Sequence, residues 1–279
     1  MGNILRAWAR SICRDWLFWA ETAFAAWGGG FMVLNGVEAC REKNAAFPWD
    51  SGAFNCLMIA SIVLPVFCSI TLGREYGCGG MRNKTAVGHG RGRVYFSALL
   101  VSFMAALWFA GVYLLCYLGL FLALAPEAEM SREPGYLLAL AVCSLIVLLA
   151  LAAFFTALAM LIQSQAWGVT IGLAAGFLFV IAGWFVSLLL HTPEFLPLYA
   201  SGTDNLSLPT GEMTINPACP QGAYRSALEF FYNYTLGGMV FQCSSLDAGK
   251  PWLIILNAGV TGALATLAGV RGFYRKDLR

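Results

Sequence analysis

Charge is what this chain has least of. Of its 279 residues only 11% are Asp, Glu, Lys or Arg, whereas 59% are hydrophobic, and the mean hydropathy is +0.70. Soluble domains carry roughly twice that charged fraction. The scarcity is also uneven: residues 51–73, 94–126, 135–191 and 251–270 hold no charged side chain at all. A helix needs about 20 apolar residues to cross a hydrocarbon core of about 30 Å, so runs of this length exclude an ordinary soluble domain. They do not alternate polar with apolar, which excludes the strands of a membrane barrel. The composition therefore reads as an all-α polytopic membrane protein, a single transmembrane domain over residues 1–279.

A phosphate-binding loop is missing as well. The stretch "GCGGMRNKT", residues 77–85, is rich in glycine and ends in Lys-Thr. A Walker loop reads G-x-x-x-x-G-K-[ST], and with Lys84 as its lysine the required glycines are replaced by Cys78 and Asn83. No cofactor, and no nucleotide held by this chain, is expected. Histidine is nearly absent, with only His89 and His191. A zinc protease needs a His pair, and Cys13, Cys68, Cys78, Cys116 and Cys143 are scattered without metal-ligand spacing, so no metal site is expected.

What is present is a series of apolar segments. Six spans are expected, over residues 17–36, 54–73, 95–124, 136–162, 166–190 and 251–270. The uncharged run 135–191 is too long for one crossing, and its polar break "QSQ" at 163–165 marks a tight turn. A cleaved signal peptide ending near "AFA" at 23–25 fits less well, because few apolar residues precede Glu21. With both termini inside, the inner segments hold Arg6, Arg10, Arg14, Arg74, Arg82, Lys84, Arg91, Arg93, Arg271, Arg275, Lys276 and Arg279, and the outer ones only Arg41, Lys43, Arg132, Arg225 and Lys250. The positive-inside rule then places both ends in the cytoplasm of a multi-pass plasma (inner) membrane protein. No nucleic-acid partner is expected.

Residues 1–16 have the spacing of an amphipathic helix, with Ile4, Leu5, Trp8, Ile12 and Trp16 on one side and Arg6, Arg10 and Arg14 on the other. Such a helix lies in the headgroup layer, as an anchor or as a mechanical element. The loop 74–94 is rich in glycine, yet "MRNKTAV" can form about two helical turns between its glycines. A short basic helix between two spans suits docking into a groove of a separate protein.

The loop also has a specific pattern: Glu75, Gly79, "RNK" at 82–84, Gly88, Arg91, Tyr95 and Ser97. It resembles the first cytoplasmic loop of ABC-type-2 transporter permeases, E-x3-G-x2-RNK-x3-G-x2-R-x3-Y-x-S, at every one of those positions. The tail "GFYRKDLR", residues 272–279, resembles the F-x-[KR]-[KR]-D-L ending of the same family. Cys78, His89 and Gly90 depart from the pattern and loosen the segment. The resemblance implies a coupling helix that receives a separate ATPase, with Arg82, Asn83 and Lys84 as contacts, Glu75 as a brace and Arg91 in the same ATPase-coupling set. It further implies that ATP and magnesium belong to that partner, and that two permease copies work together as a homodimer or heterodimer in the lipid membrane.

Glu21 is the carboxylate nearest to lying within a span, a candidate intramembrane polar site that either reaches the interface or serves substrate passage or an ion pair. "GGG" at 28–30 and "GLAAG" at 172–176 are expected to allow close helix packing. The outer segment 192–250 starts as a loop and continues as aromatic, apolar sequence too short to cross, expected as helices dipping into the outer leaflet. It forms either a hydrophobic vestibule or a cap. Cys40, Cys56, Cys219 and Cys243 fall on the outer side, where disulfides persist; Cys219–Cys243 and Cys40–Cys56 are the expected pairs, though connectivity is not fixed by sequence.

The function expected is a non-enzymatic permease subunit of an ATP-driven exporter of peptide antibiotics, drugs or lipid-like molecules. A sodium-ion efflux permease of the same family is the alternative. An intramembrane enzyme, with His191 as its candidate base, and a secondary transporter are rivals from other classes.

Overall fold

Prolines and glycines decide where the long helices start and stop. The computed structural model describes residues 8, 10–42, 47–88, 90–125, 130–201 and 207–276, and for 197–201, 207–212 and 215 the backbone only. Ile4, Leu5 and Arg6 of the expected amphipathic helix, Lys43, His89, and Asp277, Leu278 and Arg279 of the tail lie outside the described residues.

The long helices are α1 (Trp16–Glu42), α2 (Cys56–Gly77), α4 (Arg91–Leu124), α5 (Pro134–Ile162), α6 (Gln165–Leu190) and α9 (Pro251–Arg275). Between them stand three short helices: α3 (Gly80–Ala86), α7 (Gly222–Tyr234) and α8 (Leu236–Ser244). Pro134 and Pro251 open α5 and α9 at a position where the missing N–H costs nothing. Among the described residues, six helices are long and apolar enough to cross a membrane. They coincide with the six expected segments but run further at their ends, to Glu42 in α1 and Arg275 in α9. Helical hydrogen bonding continues past the apolar run into polar sequence. At 34 residues, α4 is about 51 Å long and exceeds a hydrocarbon core of about 30 Å.

The turn expected at "QSQ" joins α5 to α6, with Gln163 in the left-handed region at φ 61°. Helix α9 packs chiefly against α5, α2 against α6, and α1 against α4. Pro65 within α2 cannot donate to the carbonyl of Ser61, four residues back. That carbonyl faces Gly176 of α6, where any Cβ would collide with it. The helix backbones therefore meet at the site where one of them has a carbonyl to spare, and "GLAAG" is a packing motif. "GGG" is likewise buried, against α4 and Ile59.

The core between these helices holds Leu57, Leu64, Tyr95, Phe109, Tyr113, Tyr117, Leu140, Leu151 and Phe155. Tyr113 and Tyr117 donate to the carbonyls of Gly52 and Trp49 at 2.9 Å each, tying the loop before α2 to α4.

Among the described residues, the structure departs from an all-helical chain at one place. Within the stretch expected as irregular loop, β1 (Phe195–Ser201) and β2 (Ser207–Ile215) pair antiparallel, with Phe195 opposite Ile215 and Ser201 opposite Ser207. The register slips between Pro197 and Tyr199, as expected where proline removes a ladder donor.

The expected Cys219–Cys243 disulfide is not formed, and neither is Cys40–Cys56; all four are free thiols. Cys243 sits on the face of α8 packed into the bundle, where it is fully buried. Cys219 lies in the turn that follows β2, with its N–H bonded to the carbonyl of Asn216 at 3.1 Å. Each sulfur is fixed by its own element.

Candidate functional site: a short basic helix between two spans

Helix α2 does not run straight into α4. Gly79 breaks it at φ 70°, a left-handed conformation that an L side chain adopts only at a cost of about 1–2 kcal/mol. From that turn α3 starts, with the N–H of Asn83 bonded to the carbonyl of Gly79 at 2.9 Å. Met81, 1% exposed, anchors the helix to the bundle. At its far end Gly88 again takes a positive φ, 94°, and the chain turns into α4.

The resemblance implies Arg82, Asn83 and Lys84 as contacts of a separate ATPase, while helical spacing already sets Arg82 and Lys84 on different faces. Arg82 and Asn83 are exposed, and so is Val87, with 79% of its surface open. Lys84 points the other way. Its Nζ lies 2.9 Å from Glu75 Oε2 and 4.1 Å above the ring of Trp8, which is itself buried. Residues two apart on a helix differ by about 200° in azimuth, which puts them on nearly opposite faces. Burial lowers the Lys84 pKa below that of an ordinary lysine, and the Glu75 carboxylate opposes that shift. Lys84 is thus a strut inside the loop, contrary to its expected place on the contact face. Glu75 is the strut's other half.

A second pair braces the same junction: Arg74 Nη1 lies 2.5 Å from Asp15 Oδ2. Trp8, Ile12, Asp15, Thr71, Arg74 and Glu75 line a cavity of about 280 Å³ between the segment before α1, the end of α2 and α3.

Arg91, expected in the ATPase-coupling set, turns toward the tail instead. Its Nη1 donates to the carbonyls of Tyr274 (2.7 Å) and Lys276 (3.1 Å). The Tyr274 hydroxyl accepts from the N–H of Gly92 at 3.1 Å, Phe273 is fully buried, and Lys276 Nζ donates to the carbonyl of Leu161. Tyr95 and Ser97 are buried within the bundle, Ser97 donating to the carbonyl of Val94 at 2.7 Å. The loop motif and the tail motif, some 180 residues apart, therefore meet. Sequence reasoning found both motifs and missed their contact, which no local spacing encodes. Trp8 was also missed as a partner of Lys84.

The other polar candidates lie elsewhere. Glu21 is on the buried face of α1. At the opposite end of the bundle, His191 Nε2 lies 2.9 Å from Asp247 Oδ2. His191 Nδ1 lies 2.8 Å from the carbonyl of Ser187 and 3.3 Å from its hydroxyl. Among the described residues no cluster of three or more His, Cys, Asp or Glu side chains is placed to hold a metal ion.

No protein-family model matches this chain, and no curated protein matches it either.

Proposed function

We propose that the chain is the membrane-spanning permease subunit of an ATP-driven exporter of the ABC-2 type, with α3 as the coupling helix that docks a separate ATPase. The observation that carries the reading is α3 itself: a seven-residue basic helix held between two long apolar helices, with Arg82, Asn83 and Val87 turned outward. It lies where the "RNK" pattern of that family falls. Glu75–Lys84 joins it to α2, Lys84 over the Trp8 ring joins it to the segment before α1, and Arg74–Asp15 ties that segment to α2. A push on α3 would therefore pass to α2 and α1 together.

In this reading the end bearing α3, Arg271 and Arg275 faces the cytoplasm, and the segment before α1 lies in the inner headgroup layer. The hairpin with α7 and α8 faces outward. α8 packs into the bundle and α7 exposes Tyr224, Phe230 and Tyr234, which suits helices dipping into the outer leaflet and an amphiphilic cargo. Two copies would form the translocation path between them, while ATP and magnesium stay on the partner.

The test is purification of the full chain from native membranes. The wild-type chain brings an ATP-hydrolysing polypeptide with it, and Arg82→Glu weakens that association about tenfold or more, a change of about 1.4 kcal/mol or more. An Arg82→Glu chain that retains full partner-dependent ATP hydrolysis overturns the assignment of α3.

A further inference from the structure

The cavity between the segment before α1, the end of α2 and α3 is lined by a donor that has no acceptor. Trp8 is only 3% exposed, yet its indole Nε1 finds no hydrogen-bond partner among the described residues. Leaving a buried donor unpaired is costly, and buried polar groups in folded proteins nearly always have a partner. At about 280 Å³ the cavity has room for far more than one water, which takes about 30 Å³ in the liquid.

The charges on its wall narrow what fits. Arg74 keeps half of its side chain exposed, and its guanidinium has donors beyond the Nη1 that meets Asp15. Together with Trp8 Nε1 these suit an acceptor-rich anion such as a phosphate. Asp15 and Glu75 line the same cavity. Asp15 accepts from Arg74 and from the N–H of Leu17, and Glu75 from Lys84. A carboxylate has about four acceptor sites, so both have capacity left. Two carboxylates repel a free phosphate, whereas a simple cation leaves Trp8 and the guanidinium unmet. A zwitterion bearing a phosphate and a primary ammonium answers both; a quaternary ammonium has no N–H to give.

An apolar surface adjoins this wall. Ile12 lines the cavity and also a groove of about 170 Å³ formed with Phe18, Phe67, Met104, Ala105 and Trp108. Met104 and Trp108 are each 46% exposed, so the groove is open along the bundle surface. Polar cavity and apolar groove share Ile12, as headgroup and chain adjoin in an amphiphile. We propose that the cavity binds a phosphoethanolamine group, that of a phospholipid. Its phosphate meets Trp8 Nε1 and Arg74, its ammonium meets Asp15 and Glu75, and an acyl chain lies along the groove. Placing that lipid in the inner leaflet rests on the exporter reading; the binding itself does not.

Native mass spectrometry of the purified full chain in detergent, with lipid added, tests this without any ATPase. Palmitoyl-oleoyl phosphatidylethanolamine is expected to fill one saturable site at least about tenfold more tightly than phosphatidylcholine or phosphatidylglycerol with the same chains. Trp8→Phe keeps an aromatic ring beside Lys84 and removes Nε1. It is expected to weaken phosphatidylethanolamine about tenfold and to leave phosphatidylcholine unchanged. Soluble glycerophosphoethanolamine is expected to compete only weakly; competition as strong as the lipid's would uphold the headgroup chemistry and overturn the lipid as its source. Equal binding of the three lipids overturns the proposal. So does a Trp8→Phe chain that elutes as the wild type and binds phosphatidylethanolamine unchanged. Should Trp8→Phe fail to fold, the wild-type comparison of lipids decides alone. Failure of the exporter reading shows separately, as the absence of an ATP-hydrolysing partner.

Discussion

Arg82 and Lys84 carry the same charge two positions apart, and their surroundings make them opposites. Arg82 stands in solvent, whereas Lys84 is held between Glu75 and Trp8. The substitutions Arg82→Glu and Lys84→Glu should therefore fail differently. The first leaves α3 folded and removes a contact. The second sets two carboxylates against each other where Nζ and Oε2 now lie 2.9 Å apart and discards the cation above Trp8. Hydrogen exchange should find the amides of α3 protected as in the wild type for Arg82→Glu and at least about tenfold less protected for Lys84→Glu, a loss of about 1.4 kcal/mol or more in local stability. Equal protection in the two variants would mean that Lys84 is not a strut. Because burial lowers the Lys84 pKa, the Glu75–Lys84 pair loses its charge from the alkaline side, at a pH below that of an ordinary lysine. At this scale the sequence located the residues but not their roles. The helical period put Arg82 and Lys84 on different faces; which face turns inward depends on Trp8 and Glu75, and those contacts form only in the folded chain.

Among the elements, length and absence of charge made the long helices legible. All six long helices fall on runs that are nearly or wholly uncharged, because a chain with no side-chain partner for its backbone in hydrocarbon must satisfy its hydrogen bonds internally. The hairpin was not legible. Pro197 and Pro209 lie inside its strands, and proline within a run argues against a strand. The pairing that rescues it lies between residues up to 20 apart, Phe195 with Ile215. Packing between elements was legible only as small residues. "GLAAG" announced a close contact, but that Gly176 meets the carbonyl left free by Pro65 required the fold. Gly176→Leu should force α6 off α2 and cost about 1–3 kcal/mol, seen as a lower unfolding temperature in detergent or nanodiscs. Gly259→Leu, at a position with open space around it, is the matched control and should change little. A Gly176→Leu chain as stable as that control would remove the close contact from the account.

For the molecule as a whole, the even number of long helices puts the segment before α1, the helix α3 and the tail of α9 at one end of the bundle. The contacts of Arg91 with the carbonyls of Tyr274 and Lys276, and of Arg74 with Asp15, hold that end together. The opposite end carries the hairpin, α7 and α8. The central claim is that the first end meets an ATPase and the second does not. Val87, 79% exposed beside α3, and Met213, 69% exposed in the hairpin, are suitable reporters of the two ends. The most direct measurement places a photo-crosslinking benzoylphenylalanine at position 87 or at position 213 and identifies what each captures in native membranes. The account predicts that position 87 crosslinks to a polypeptide that hydrolyses ATP, that Arg82→Glu abolishes the crosslink, and that position 213 captures no such polypeptide. Capture of the ATPase from position 213, or an undiminished crosslink at position 87 in the Arg82→Glu chain, would contradict it.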